Sequence, residues 1–256
     1  MAKLPFLISI PHGGTKTPQE ISDRVCITQK DLFEDGDAFT REIYGIRDEV
    51  QAFIETDIAR AFVDLNRETS DRPPKNPDGI VKTKTCHGQP IYSPGLLLDE
   101  TIGEELIQKY HDPYHKKIRE LLNTHSGIKL GLDCHTMEPV GPPIAPDSGK
   151  ERPLICLGNN YGKSCSDEWV QKLAECLQEG FHLKAGDVTI NEPFAGGYIT
   201  RKYGNDPVPW IQIEMNRKLY LSNPWFDPKS LTVDPRRLSQ LREAFKTGLN
   251  LFEKTL

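Results

Sequence analysis

The chain has 256 residues with 32 basic and 37 acidic side chains, so its formal net charge is -5. This length suffices for one domain with a substantial core, and the charge gives no basic field for a nucleic acid partner. No apolar run approaches the about 20 residues of a membrane helix, and six cysteines without a CxxC pair favour a reducing, cytoplasmic setting.

Apolar runs rich in β-branched residues alternate with helical patterns, which predicts strands and helices interleaved around one sheet. The predicted strands are residues 6–10, 61–66, 130–134, 154–158, 186–191 and 210–215. Apolar stripes at helical spacing are Phe39, Ile43, Ile46 and Val50, and Leu238, Leu241, Phe245, Leu249 and Phe252. Residues 98–123 also have a helical pattern, bent or divided at Pro113. We therefore expect a single α/β domain over residues 1–256, with a sheet flanked by helices.

The first candidate site follows the first predicted strand, in the sequence SIPHGG. The strand places His12 at its end, and two glycines keep the adjacent backbone uncrowded. Such a histidine is either a turn residue or a metal ligand. Asp35 and Asp37 come next, before the first helical stripe. Aspartate is a preferred N-cap, so capping and metal binding both remain open for them.

The predicted strand 61–66 is followed by polar side chains and then by a long irregular segment. Asp64, Asn66 and Arg67 end the sequence FVDLNR. The planar fork of Arg67 suits a substrate carboxylate or a structural ion pair. Residues 68–95 and 137–153 are rich in proline, glycine and charge, so we expect lids over a cleft or mobile surface loops.

The sequence LGLDCHTMEP starts as an apolar strand and ends in polar groups. Side chains alternate between the faces of a strand, so Asp133 and His135 share one side and Cys134 faces the core. An imidazole at the carboxyl end of a strand suits a metal ligand or a base. Asp133 can orient it.

A carboxylate interrupts the apolar strand pattern of PWIQIEMNRKLY. Gln212, Glu214 and Asn216 share one face of the predicted strand. Burying a carboxylate is costly unless the group is paired, metal-bound or functional. Glu214 is therefore either catalytic or on the solvated face of an edge strand.

Taken together and in order, these motifs resemble the N-formylglutamate amidohydrolase family. The motifs are SIPHGG, the DGD of residues 35–37, VDLNR, LDCHTM, NEPFAGGYI and IEMNRKLY, and they extend from residue 9 to residue 220. The resemblance implies a mixed sheet of the phosphorylase/hydrolase-like kind, related to zinc carboxypeptidases, and one catalytic zinc ion. It also implies hydrolysis of N-formyl-L-glutamate to formate and glutamate, in histidine degradation.

The same resemblance assigns roles to individual residues. His12 and His135 correspond to the imidazole ligands, and Glu214 to the catalytic carboxylate. The carboxylate ligand comes from the DGD segment, where we favour Asp37 over Asp35. Two histidines and one carboxylate leave a fourth zinc position open, which is typical of catalytic sites. Candidates for contact with an anionic N-acyl amino acid, or for holding the groups that contact it, are Arg67, Asn66, Arg217, Asn216 and Gly197.

Three alternatives remain at this point. The first is a zinc amidase or carboxypeptidase-like hydrolase of another N-acyl amino acid or peptide. The second is a catalytically silent binding relative. The third, a thiol hydrolase using Cys134, conflicts with the strand alternation that turns this thiol away from His135. The remaining histidines are expected to be solvated or packed; they are His87, His111, His115, His125 and His182. The sequence does not indicate an oligomeric state.

Overall fold

A six-stranded mixed sheet forms the centre of the computed structural model, which describes residues 3–143 and 145–256. The strands are β1 (Leu4–Ile10), β2 (Val50–Glu55), β3 (Leu130–Met137), β4 (Ile155–Gly158), β5 (Val188–Ile190) and β6 (Trp210–Asn216). Their order is β2-β1-β3-β6-β4-β5. The first four strands in this order run parallel, whereas β4 is antiparallel to β6 and parallel to β5. A small separate hairpin contains β7 (Phe226–Asp227) and β8 (Thr232–Val233).

Seven α-helices surround the sheet in the described residues. They are α1 (Gln29–Asp35), α2 (Thr40–Tyr44), α3 (Glu100–Leu106), α4 (Asp112–Thr124), α5 (Asp167–Gly180), α6 (Tyr198–Tyr203) and α7 (Pro235–Glu253). Local sequence explains several of their starts. A reciprocal capping box of Thr28 and Asp31 begins α1, and Ser166 caps α5. None of the described helices is both long and apolar enough to cross a membrane.

The alternation of side chains along the strands divides the core between two faces of the sheet. Phe6, Ile8 and Leu132 pack on one face, in the cluster that also contains the apolar residues of α5 and α7. Leu7 and Trp210 lie in the cluster on the other face, with the apolar side of α4. Because both faces are covered, the central strands are buried along their whole length.

The structure confirms the predicted α/β class and five of the six predicted strands. The strand predicted over residues 61–66 is wrong, because this segment forms turns. Its amides bond to nearby carbonyls, such as Phe62 N to Ala59 O at 3.0 Å, and its apolar side chains are buried without alternation. The helix predicted through Val50 is also wrong. It ends at Tyr44 before Gly45, and the strand β2, absent from the prediction, begins at Val50.

The helical pattern over residues 98–123 is divided around Pro113, as expected. A single π-helical turn, Ile107–His111, joins α3 to α4 without a break in the helical backbone. Pro113 lies two residues after this turn and has no N–H to donate to it. The division therefore takes the form of a π-helical turn just before the proline.

Candidate active site

The polar side chains of three neighbouring strands meet at one edge of the sheet. β1, β3 and β6 are parallel, so their carboxyl ends lie side by side. His12 follows β1 by two residues, whereas His135 and Glu214 lie directly opposite each other on β3 and β6. Asp37 reaches the same place from the turn after α1. Strand pairing thus assembles residues that are far apart in the sequence.

His12, Asp37 and His135, which we call the ligand triad, bring three potential ligand atoms close to one another. Nδ1 of His135 lies 3.1 Å from Nδ1 of His12 and 3.0 Å from Oδ2 of Asp37. The third side of the triangle, from Nδ1 of His12 to Oδ2 of Asp37, is 3.4 Å. All three side chains are buried.

Two further carboxylates contact the far nitrogens of the two imidazoles. Oδ1 of Asp64 lies 2.7 Å from Nε2 of His12, and Oδ1 of Asp133 lies 3.2 Å from Nε2 of His135. A carboxylate at Nε2 favours the proton on that nitrogen, and a neutral imidazole of this tautomer has the lone pair of Nδ1 free for a metal ion. Asp64 is placed to favour this tautomer of His12, and Asp133 lies at the corresponding nitrogen of His135, which Nδ2 of Asn66 also contacts at 3.1 Å.

The surroundings of the ligand triad favour a positive charge at its centre. Burial opposes ionisation of Asp37, but the two imidazoles lower its pKa well below the ordinary value. Burial also opposes protonation of His135, yet Asp133, Asp37 and Glu214 raise its pKa well above the ordinary value. Carboxylates thus outnumber the two imidazoles at this place, which is a setting that suits a bound cation.

The triad fits a zinc ion in both chemistry and spacing. Two imidazole nitrogens and one carboxylate oxygen form a ligand set typical of catalytic zinc sites. Ligand atoms of tetrahedral zinc, with bonds of about 2.0–2.1 Å, lie about 3.3–3.4 Å from one another. The observed separations of 3.0, 3.1 and 3.4 Å are close to this value.

Glu214 lies beside the triad and faces the cleft. Its Oε1 accepts a hydrogen bond of 2.7 Å from Nε2 of Gln212, which is two residues earlier on the same face of β6. Burial raises the pKa of Glu214 to about 7, with Asp37 adding to the effect and the imidazoles opposing it. A carboxyl group with this pKa can both accept and release a proton near neutral pH.

Asp37 and Asp35 occupy different environments, which separates the two candidates of the DGD segment. Asp37 accepts a hydrogen bond of 3.2 Å from the backbone N–H of Thr136 and contacts Arg217 at 3.4 Å. Asp35 instead pairs with Nζ of the fully buried Lys82, at 3.1 Å. Asp37 therefore belongs to the triad, and Asp35 to a separate buried ion pair.

Asn66 and Gly197 connect the triad to the start of α6. The Asn66 side chain contacts Nε2 of His135 at 3.1 Å and donates to Asp133 at 3.3 Å. Its Oδ1 accepts a hydrogen bond of 2.7 Å from the Ile199 amide. A Cβ atom on Gly197 would lie 2.3 Å from Asn66, so only glycine permits this approach.

The other predicted substrate contacts lie at or near the cleft but are already bonded to protein groups. The Arg67 guanidinium faces Asp71 at 3.4 Å and Asp78 at 2.9 Å. Nε of Arg217 donates to Thr136, and its two terminal nitrogens donate to Asp37 and to the carbonyls of residues 34 and 36. Asn216 donates to the carbonyls of residues 152 and 153, outside the cleft lining. Whether any of them contacts substrate stays a prediction.

Arg60 is a cleft residue that the sequence did not indicate. Its Nε donates to Oδ2 of Asp64 at 2.9 Å, and its two terminal amino groups have no hydrogen-bond partner in residues 3–143 and 145–256. The sequence DIAR around it contains no motif that marks a site. Only the fold shows that it lines the cleft and contacts the carboxylate that orients His12.

The triad forms part of the wall of a cleft of about 580 Å³. Both irregular segments, residues 68–95 and 137–153, contribute to its lining; the lining residues include Asp71, Asp78 and Cys86 from the first and Glu138, Pro142, Ala145, Pro146 and Arg152 from the second. The two loops also meet, because Nε2 of His87 lies 2.8 Å from Oε1 of Glu138. The cleft is large enough for an amino acid derivative.

Cys134 lies in the core, as the strand alternation predicted. It is fully buried among apolar side chains, and burial raises the pKa of its thiol well above the ordinary value. A buried, protonated thiol is a poor nucleophile. This environment removes the basis for a thiol hydrolase.

Comparison with known proteins identifies the relatives of the chain. It is 27% identical over 228 residues to the N-formylglutamate deformylase of Pseudomonas putida, covering 86% of this chain and 82% of that protein. Identity with the Pseudomonas aeruginosa N-formylglutamate deformylase is 28% over 230 residues, covering 86% and 83%. The fold matches the crystal structure of N-formylglutamate amidohydrolase from Ralstonia eutropha JMP134 with a TM-score of 0.79, at 18% identity over 98% of this chain and 94% of that chain.

A family model covers most of the chain. The model of N-formylglutamate amidohydrolase matches residues 4–221, a range that contains the ligand triad, Glu214 and all six strands of the sheet. The resemblance of the ordered motifs is thereby confirmed at the level of the family. This chain belongs to the N-formylglutamate amidohydrolase family.

Proposed function

We propose that the protein is a zinc-dependent amidohydrolase that cleaves N-formyl-L-glutamate to formate and glutamate. The observation that carries this proposal is the ligand triad at the wall of a cleft with Glu214 on the neighbouring strand. Membership of the family and the names of the Pseudomonas relatives support the substrate. Histidine degradation is proposed on the family resemblance alone, and a cytoplasmic location on the pattern of the six cysteines.

His12, Asp37 and His135 are the proposed zinc ligands. Zinc bound by them supplies Lewis acidity, which makes water a stronger acid and polarises a carbonyl group. The protein's own contribution is to hold the ligand atoms in place, through Asp64 on His12 and Asp133 on His135.

Glu214 is the proposed general base and acid. Nε2 of Gln212 donates a hydrogen bond to Oε1 of Glu214, while Oε2 has no partner in the part of the chain that the structure describes. Oε2 accepts a proton from water as the water oxygen bonds to the formyl carbon. The same proton then passes to the amide nitrogen as the C–N bond breaks, so formate and the free amine leave together.

Arg60 is the proposed donor to the developing oxyanion. Its terminal N–H groups are the unoccupied part of a guanidinium whose Nε is fixed to Asp64. Fixed donors directed at a developing negative charge lower the barrier of acyl transfer. Asn66, Arg67 and Gly197 are proposed to line the substrate site, whereas the contacts of Arg217 and Asn216 favour support of neighbouring protein groups.

The test is formate release from N-formyl-L-glutamate by the purified protein, before and after chelation and after zinc is added back. We expect activity to be lost with the chelator and restored by zinc. A panel of N-acyl amino acids and short peptides in the same assay distinguishes the proposal from hydrolysis of another N-acyl substrate. Metal binding without turnover of any of them would instead indicate a silent binding relative.

A further inference from the structure

The cleft is lined by five arginines, and four of them already face carboxylates of the protein. The closest pairs are Arg60 with Asp64 at 2.9 Å, Arg67 with Asp78 at 2.9 Å, Arg152 with Asp147 at 2.7 Å, and Arg217 with Asp37 at 3.4 Å. The fifth is Arg201. Within residues 3–143 and 145–256, no carboxylate oxygen lies within 4 Å of its guanidinium. Its charge is therefore the one that an anionic ligand can neutralise most fully.

Arg201 also lies on the element that borders the ligand triad. It belongs to α6, which starts directly after Gly197, the residue packed against Asn66. Asn66 in turn contacts His135. Nη1 of Arg201 donates to the Gly196 carbonyl at 2.7 Å, which turns the guanidinium back towards the start of the helix and leaves Nε and Nη2 for a ligand.

We propose that Arg201 binds the side-chain carboxylate of the substrate and makes the enzyme prefer acidic N-formyl amino acids. This inference rests on the proposed function, because it assigns one end of the proposed substrate. The formyl amide must lie at the triad for hydrolysis. The α-carboxylate is attached next to that amide, whereas the side-chain carboxylate of glutamate extends farther along the cleft, whose lining includes both the triad and Arg201. A guanidinium fork matches a carboxylate in shape and charge.

The size of the expected effect follows from the exposure of Arg201. Its side chain is exposed, so water weakens its attraction for an anion compared with a buried pair. A charge-assisted hydrogen bond in a partly closed cleft still contributes measurably. We expect loss of Arg201 to raise KM for the acidic substrate about tenfold, while kcat changes little.

The experiment compares kcat/KM for N-formyl-L-glutamate and N-formyl-L-glutamine, which differ in charge but hardly in shape. Wild type, R201Q, R201K and K163Q are measured with zinc bound. Lys163 is an exposed cation outside the cleft lining, so its loss controls for a general change of charge. We expect R201Q to lose the preference for the acidic substrate, R201K to retain part of it, and K163Q to retain all of it.

Two results would overturn the assignment of Arg201. One is an R201Q variant that keeps the wild-type preference, and the other is an equal loss on both substrates, which would indicate a structural role. A wild type that releases no formate from either substrate would contradict the proposed function instead. Calorimetric binding of L-glutamate and L-glutamine to wild type and R201Q then tests Arg201 without turnover. Loss of the glutamate preference in R201Q supports the assignment, and an unchanged preference overturns it.

Discussion

Glu214 is a carboxylate in a buried strand, and its contacts explain how the fold accommodates it. One oxygen accepts a hydrogen bond from Gln212, and the imidazole of His135 lies opposite on β3. Burial raises the pKa of Glu214 to about 7, and the imidazoles of His135 and His12 oppose part of this rise. A carboxyl group in such surroundings can exchange a proton near neutral pH.

Replacing Glu214 with glutamine should separate catalysis from metal binding. The amide is similar in shape but cannot take a proton from water. We expect kcat to fall by about 10²–10⁴-fold, while zinc content stays at the wild-type level. Steady-state formate release and metal analysis of the same preparation check this. Near-full activity in E214Q would remove Glu214 from the mechanism.

The neighbouring aspartates 35 and 37 should respond in opposite ways to the same substitution. D37N removes a charged ligand and should lower zinc content strongly. D35N should keep zinc but lower the free energy of unfolding by about 3 kcal/mol, because it breaks a buried ion pair with Lys82. Metal analysis and urea unfolding of both variants check this. Normal zinc content in D37N would show that Asp37 is not a zinc ligand.

The proposed donor Arg60 gives a third expectation. R60K keeps a positive charge but loses the two terminal amino groups of the fork, and we expect kcat to fall about 10²–10³-fold. KM for the substrate should change much less, because the lost contact forms in the transition state. A rise in KM at unchanged kcat would instead assign Arg60 to ground-state binding.

At the scale of single residues, the sequence predicted the positions of those site residues that the geometry of a strand determines. The positions of His12, His135 and Glu214 at strand ends follow from apolar runs and their alternation. The contacts of Arg60 and Arg217 do not, because they depend on how loops and strand ends fold together over long sequence distances. The partners of the two terminal nitrogens of Arg217 come from α1 and the turn after it, about 180 residues earlier.

At the scale of elements, the wrong helix and strand predictions arise where a short apolar pattern is compatible with more than one structure. Val50 fits the spacing of a helix that Gly45 ends, and it also begins an alternating strand. Residues 61–66 have the composition of a strand, but their amides bond within turns and to Ile80 O. In both places tertiary contacts override a local pattern of only a few residues.

The π-helical turn and the start of α4 place two buried histidines beneath residues 65–67. Nε2 of His111 lies 3.1 Å from the carbonyl oxygen of Arg67, and Nε2 of His115 lies 3.0 Å from that of Leu65. These two carbonyls flank Asn66. Both imidazoles are almost fully buried, with 1% and 2% exposure, so they hold the loop rather than meet solvent.

His115 should make the stability of the protein depend on pH. Burial lowers its pKa to about 2, with His111 and Lys202 adding to the effect, whereas an unfolded histidine titrates near about 6.5. Below that pH the unfolded chain binds a proton that the folded chain does not. The free energy of unfolding should therefore fall with decreasing pH, by about 2 kcal/mol between pH 6.5 and 5 from this group alone.

The measurement is urea unfolding of the chelated protein between pH 5 and pH 7.5. H115Q should lose this part of the pH dependence even though it is less stable overall. The control H182N changes an exposed histidine and should keep the wild-type slope. Equal slopes in H115Q and wild type would contradict the assignment.

At the scale of the whole molecule, the ligand triad joins three distant segments of the chain. His12 follows β1, Asp37 follows α1, and His135 lies on β3. A metal ion held by all three binds only the folded chain, so it should stabilise the fold. Zinc at about 100 times its Kd should raise the free energy of unfolding by about 2.7 kcal/mol.

Thermal and urea unfolding with and without zinc check this expectation. H12A and H135A should show no such gain, because each leaves only two ligands of the triad. An undiminished gain in either variant would remove that histidine from the site. D35N, which lies outside the triad, should keep the gain.

The central strand of the sheet is the last one to be synthesised. β6 lies between β3 and β4 although it follows both in the sequence. A nascent chain that has not reached residue 210 therefore carries all three ligand residues and two separate groups of strands, but not the strand that joins them. Glu214, the proposed general base, arrives on that strand. Insertion of one segment thus closes the sheet and brings Glu214 beside the ligand triad in the same event, so a growing chain that lacks β6 should have no hydrolytic activity.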